Sequence, residues 1–293
     1  MHRSIESLIK ESAESGRSLP DVILAREVDE TGATAEQVRD RIRHTLSVMR
    51  GAIDEGLKGA ERSPSGLTGG RAAKLAANGP RILGPRVTVT LARAIATLEV
   101  NACMGLIVAA PTAGAAGVLP AILLSVGEFM ELDDDMLING MLVAGGIGGV
   151  IAHRASLSGA EGGCQAETGA AAGMAAGAAT EMLGGTPSQV GHAVALTMQG
   201  TLGLVCDPLG GLVELPCVFR NATGSAIALA GIEMALAGIT FAIPVDEVID
   251  VMGEIGREMD VRYRETAGGG LAATPTGRKL AKERLYQIKR SDA

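Results

Sequence analysis

Hardly any side chain in this sequence is large, and that limits the fold more than any other feature. Hydrophobic residues make up 47% of the 293 positions, yet aromatics reach only 2% and Trp is absent. A core of Ala, Gly, Leu, Ile, Val and Met has little bulk to hold elements apart. It favours helices that approach closely through small residues. Glycine supplies 41 residues with no Gly-X-Y period, so a collagen-like chain is excluded. With 20% charged residues on so apolar a background, wholesale disorder is excluded as well.

The periodicity agrees with helices. Thr34-Ala35-Glu36-Gln37 reads as a capping box, followed by Val38, Ile42, Leu46, Met49, Ile53 and Leu57 at spacings of three and four. That predicts one amphipathic helix laid on a larger body. Gly184-Gly185 ends a second helix, and Thr186-Pro187-Ser188-Gln189 opens a third. Asp133 and Pro244 mark further starts. Strand-like alternation is confined to Arg86-Val87-Thr88-Val89-Thr90, too short to found a sheet. The expected class is all-α, with buried apolar central helices. A polar helical segment over 1–60 is expected to pack on a main domain over 61–293.

Charge is distributed unevenly. Between Ala94 and Gly256 the cations are Arg154 and Arg220 alone, against sixteen carboxylates, and the whole chain carries −7. Such a surface is unsuited to nucleic acid. No Lys lies between Lys74 and Lys279, so the central region offers no Schiff-base lysine for pyridoxal chemistry. The apolar runs 104–127 and 226–243 invite a membrane reading. The first is broken by Pro111 and Pro120, and acidic Asp133-Asp134-Asp135 stands where a basic loop would be needed. The start of the chain has no signal-peptide stretch, so a cytoplasmic location with reduced cysteines is expected.

Cys103, Cys164, Cys206 and Cys217 are the first candidates for chemistry. Cys103 reads as a small buried hydrophobe. Cys164 follows Gly162-Gly163, while Cys206 and Cys217 bracket a Gly/Pro-rich loop, and soft thiolates so placed suit an iron–sulfur cluster or zinc. Close Cys-x-x-Cys pairs of structural zinc sites are missing. The Ser63–Gly70 segment offers backbone N–H groups and the hydroxyls of Ser63, Ser65 and Thr68 to a carboxylate, or is a plain turn. Arg220 either holds a carboxylate or pairs with Glu214 or Asp207. His2 and His44 belong to the polar flank. His153 and His192 lie nearer the centre, and no histidine stands out as a base.

Several ordered motifs resemble one family. They are Ser63-Pro64-Ser65-Gly66-Leu67-Thr68-Gly69-Gly70, Ala110-Pro111-Thr112-Ala113-Gly114-Ala115-Ala116-Gly117 and Ser158-Gly159-Ala160-Glu161-Gly162-Gly163-Cys164-Gln165-Ala166-Glu167. The Cys206–Cys217 loop, Arg220-Asn221-Ala222 and Glu265-Thr266-Ala267-Gly268-Gly269-Gly270-Leu271-Ala272 complete the set. Together they resemble the catalytic α subunit of the iron–sulfur-dependent L-serine dehydratases. The resemblance implies a [4Fe–4S] cluster held by Cys164, Cys206 and Cys217, with one iron left for substrate. It implies deamination of L-serine to pyruvate and ammonia in an all-helical domain, with a separate β subunit as partner. Ser63, Ser65, Thr68, Gly69, Thr112 and Asn221 lie in the matching loops and are the candidate substrate contacts. One departure is Arg154-Ala155-Ser156, where the family pattern begins with Asn, so no role passes to Arg154.

Other classes compete. In an iron–sulfur electron-transfer protein Cys103 would complete a four-thiolate cluster. A zinc-stabilised helical scaffold and a related cysteine-desulfurating lyase are the remaining alternatives.

Overall fold

The computed structural model describes residues 3–59 and 62–291, with side chains to residue 285. His2 therefore lies outside the described residues. Thirteen α-helices and no strand occur among the described residues, so the chain is all-α. The first three are α1 (Ile5–Ser15), α2 (Leu19–Thr31) and α3 (Ala35–Leu57). α4 (Arg71–Asn78), α5 (Pro85–Ala102), α6 (Val118–Phe129), α7 (Asp134–Arg154) and the single turn α8 (Gly159–Gly162) follow. The chain ends with α9 (Ala170–Met182), α10 (Pro187–Met198), α11 (Cys217–Leu236), α12 (Val245–Glu258) and α13 (Pro275–Ser291).

α9 is the axis of the fold. Apart from Glu181 its residues are buried, packed between α6, α7, α10 and α11. An Ala/Gly-rich helix can sit there because its neighbours come close on every side. The same logic sets α3 on α5, where a Cβ at Gly56 would collide with the backbone carbonyl of Ala96. The N-terminal helices share this core, burying Ile5, Leu8, Val22, Leu46 and Met49. Buried Asp246 of α12 caps α1 from 240 residues away, accepting from the Ile5 and Glu6 amides at 2.8 and 3.0 Å.

Helix starts follow the local signals. Thr34 and Thr186 both form reciprocal capping boxes with Gln37 and Gln189. Asp133 accepts from the Met136 amide, and Pro244 precedes α12. The strand-like run at 86–90 is helical instead, in the first turns of α5. Pro85 sets the entry, and the Thr88 and Thr90 hydroxyls bond to the carbonyls four residues back, at 3.2 and 2.9 Å. Residues 104–127 are not one span but a loop, a 3₁₀ turn and most of α6. α7 is long and apolar enough to cross a membrane, yet in this fold it lies against α9 and buries Leu137, Leu142, Ile147 and Ile151.

Candidate active site

Three cysteines from distant segments meet at one end of α9. Cys164 stands where left-handed Gly163 turns the chain into a π-helical turn, Gln165–Gly169, that runs directly into α9. A wide turn of this kind disrupts regular hydrogen bonding and recurs at functional sites. Gln165 is wholly buried and ties the cysteine segments together. Its amide donates to the Leu204 carbonyl at 3.0 Å, its Oε1 accepts from the Gly203 amide at 2.9 Å, and its Nε2 donates to the Met252 carbonyl at 3.1 Å.

Cys206 is held on both sides through its backbone. Its amide donates to the Tyr263 carbonyl and its carbonyl accepts from the Glu265 amide, both at 2.8 Å. The loop beyond it is closed by a 2.8 Å bond from the Leu209 amide to the Leu215 carbonyl, and Cys217 then opens α11. Asp207 anchors the rest: its Oδ2 accepts from the Leu271 amide at 2.6 Å and its Oδ1 lies 2.7 Å from Arg220 Nη2. Arg220 also donates to the Val205 carbonyl at 2.6 Å, so of the partners open to it in the sequence, it takes Asp207.

Glu167 lies among these groups, buried, with Thr112 donating to its Oε1 at 2.7 Å and the Cys206 thiol 3.6 Å from its Oε2. Gly159 makes the space: a Cβ there would lie 2.5 Å from Glu167 Oε2 and 3.2 Å from Cys206 Sγ. Thr112, Ser156, Ser158, Glu161, Glu167 and Glu265 line a cleft of about 390 Å³ that opens beside the cysteines. Glu265 has φ +63°, a left-handed conformation unusual for a residue with a side chain.

The electrostatics of the three thiols are coupled. Burial raises all three, Cys217 to about 12; Cys206 is raised further by Glu167 and the other two sulfurs, and Cys217 by Cys164 and Glu167. Arg220 is the cation that opposes this at Cys164 and Cys217. Burial likewise pushes the Glu167 carboxyl up, with Glu265 adding and the Thr112 bond opposing. Buried soft donors that repel each other's charge need a positive centre before all can be thiolates. An iron–sulfur cluster would be such a centre. Among the described residues no three His, Cys, Asp or Glu side chains are grouped as ligands of one metal ion. None of the four cysteines is in a disulfide, and Cys103 sits apart, half-buried at the end of α5.

The expected substrate contacts divide. Thr112 lines the cleft. Ser63 and Ser65 are buried and give their protons to Glu214 Oε2 at 2.7 and 2.6 Å. Thr68 and the amides of Gly69, Arg71 and Ala72 all bond to the buried carboxylate of Glu99, at 2.9–3.1 Å. The donors of this loop thus already hold two of the chain's own carboxylates. Asn221 is fully enclosed, its carboxamide joining the Gly117 amide to the Gly114 and Cys217 carbonyls. It fixes the turn behind Thr112 rather than lining the cleft. His44 and His153 are exposed, and His192 accepts from the Phe241 amide at 3.3 Å. None of these three lines the cleft. Arg154 pairs with Asp250 at 2.5 Å.

Reading the residues one by one missed Glu167, Glu265, Glu99 and Glu214 as organisers. Glu167 and Glu265 stand inside the ordered motifs, but only burial distinguishes Glu167 from a surface carboxylate, and only its left-handed backbone marks exposed Glu265. The comparisons agree with the motifs. Over 286 residues the chain is 50% identical to the probable L-serine dehydratase, alpha chain, of Bacillus subtilis (strain 168), covering 97% of this chain and 95% of that protein. It is 41% identical over 290 residues to the L-serine dehydratase, alpha chain, of Peptoniphilus asaccharolyticus, covering 98% and 99%. L-serine dehydratase 2 of Escherichia coli (strain K12) is 36% identical over 280 residues, which is 92% of this chain but 61% of that longer protein. Residues 14–272 match the family described as serine dehydratase alpha chain, and the chain belongs to that family.

Proposed function

We propose that this chain is the catalytic α subunit of an L-serine dehydratase, a lyase that converts L-serine to pyruvate and ammonia. The observation that carries the reading is the convergence of Cys164, Cys206 and Cys217 beside Glu167 and the acidic cleft. In this reading the three cysteines hold a [4Fe–4S] cluster. When bound, the cluster supplies an iron free of protein thiolate, a Lewis acid for the departing hydroxyl of serine.

The chain's own residues do the rest. Glu161, Glu167 and Glu265 give the cleft the negative character that suits a substrate ammonium. Thr112, its proton committed to Glu167, presents lone pairs to the same group. Ser63, Ser65, Thr68 and Gly69 hold the neighbouring loop through Glu214 and Glu99, and a substrate carboxylate takes their donors only by displacing those side chains. Asn221 positions Thr112. The half of the reaction that needs a base is supplied across an interface by a β chain, since none of His44, His153 and His192 lines the cleft. The longer single-chain relative, of which this chain matches 61%, is consistent with such a division of parts. Four cysteines outside disulfides suit a reducing, cytoplasmic setting.

The test is anaerobic purification followed by pyruvate assay with L-serine, with and without the β chain, alongside iron and sulfide analysis. Pyruvate formed only by cluster-loaded protein is expected. A loaded protein with reversible one-electron cycling and no turnover of serine in the presence of the β chain would replace this reading with electron transfer.

A further inference from the structure

A second cavity lies behind the cleft. It has a volume of about 380 Å³, opens between α8 and α12, and shares Ala155, Ser156 and Glu161 with the cleft as a common wall. Its chemistry is the reverse of the cleft's. Arg257 and Arg264 line it against one carboxylate, Glu161, which is engaged by the Ser156 hydroxyl at 2.6 Å. Neither guanidinium has a carboxylate at ion-pair distance among the described residues; Arg257 is exposed and Arg264 half-buried. Gly253 keeps the α12 wall low: a Cβ there would lie 3.2 Å from Arg257 Nη1.

A guanidinium with no carboxylate at ion-pair distance is open to one, which meets it with paired, charge-assisted bonds. The lining charge of two cations and one anion leaves room for a single negative charge. Arg264 is also well placed to be felt at the cluster cysteines. Its neighbours Tyr263 and Glu265 are the two residues whose backbone holds Cys206, each at 2.8 Å. We propose that this cavity binds a small monocarboxylate at a site distinct from the catalytic cleft, and that its occupant steadies the Tyr263–Glu265 segment against Cys206. The proposal goes beyond the dehydratase reading and does not depend on it.

The experiment titrates propionate, which lacks the amino and hydroxyl groups of serine, into the full chain by calorimetry and thermal unfolding. Saturable binding of one propionate per chain and a raised melting temperature are expected. Arg257→Gln and Arg264→Gln should each weaken binding about tenfold or more, Arg264→Lys should retain part of it, and Thr112→Ala in the cleft should leave it unchanged. Circular dichroism of the ligand-free variants separates lost binding from lost fold, and if Arg264→Gln does not fold, Arg257→Gln decides. In hydrogen exchange the amides of Cys206 and Glu265 should exchange more slowly with propionate bound. Absence of saturable binding, equal binding by the folded glutamine variants, or loss of binding in Thr112→Ala would each overturn the site. Tighter binding of inorganic phosphate than propionate would overturn the carboxylate class, and unchanged exchange at Cys206 and Glu265 would overturn the link to the cysteine. No serine turnover enters any of these readouts, so a failure here leaves the dehydratase reading as it was.

Discussion

A ligand cysteine and a merely packed one look alike in a sequence, but they respond differently to substitution. Replacing Cys164, Cys206 or Cys217 by Ala should abolish the brown chromophore and the activity together, whereas Cys103→Ala should leave iron content unchanged. Iron loss in the Cys103 variant would mean that a fourth thiolate takes part. Gly159 provides a second test at this scale. An added methyl 2.5 Å from Glu167 Oε2 forces that carboxylate to shift and strains the Oε1 bond from Thr112. Gly159→Ala is expected to lower kcat by about a hundredfold, with iron retained, as measured by pyruvate release and iron analysis on the same preparation.

Among the elements, α9 is unusual in carrying one titratable side chain at its otherwise buried end. Burial, with Asp21 of α2 adding, raises the Glu181 carboxyl to about 7. Its folded value lies above its unfolded one, so its contribution to stability is present below the unfolded value near 4.5 and is lost as pH rises through about 7. Glu181→Gln should therefore stabilise the protein at pH 8 by about 1 kcal/mol, the partial exposure of the group having reduced the full effect. At pH 5 the variant and the parent should unfold alike in denaturant. Where α3 meets α5, Gly56→Ala is expected to cost about 1–3 kcal/mol, because the obstacle is the backbone of Ala96 rather than a side chain that can turn aside.

For the whole molecule, the absence of His44, His153 and His192 from the cleft predicts dependence on assembly. The cluster-loaded chain alone should release little pyruvate, and adding the β chain should restore turnover. Full turnover by the isolated chain would refute the shared site and turn attention to Glu167. In the proposed cluster one iron lacks a protein thiolate and is open to oxidation and loss, so air should abolish serine turnover, and iron with a reductant should restore it. Activity that survives prolonged aeration would contradict the cluster.

Much of this is legible in the sequence. The shortage of aromatics and abundance of Ala and Gly require close helices, and the caps at Thr34, Asp133 and Thr186 are local chemistry that works wherever the helix lies. The three cysteines stand out because glycine or proline beside each breaks regular structure. Tertiary structure alone decided which donors are already satisfied. Ser63 and Thr68 read as open hydroxyls along the chain, yet they face Glu214 and Glu99, partners 151 and 31 residues away. Arg86–Thr90 alternates like a strand and folds as a helix because α3, α6 and α11 enclose α5 in contacts no local pattern encodes. Burial and long-range pairing depend on where distant segments meet, and composition, periodicity and spacing do not carry that information.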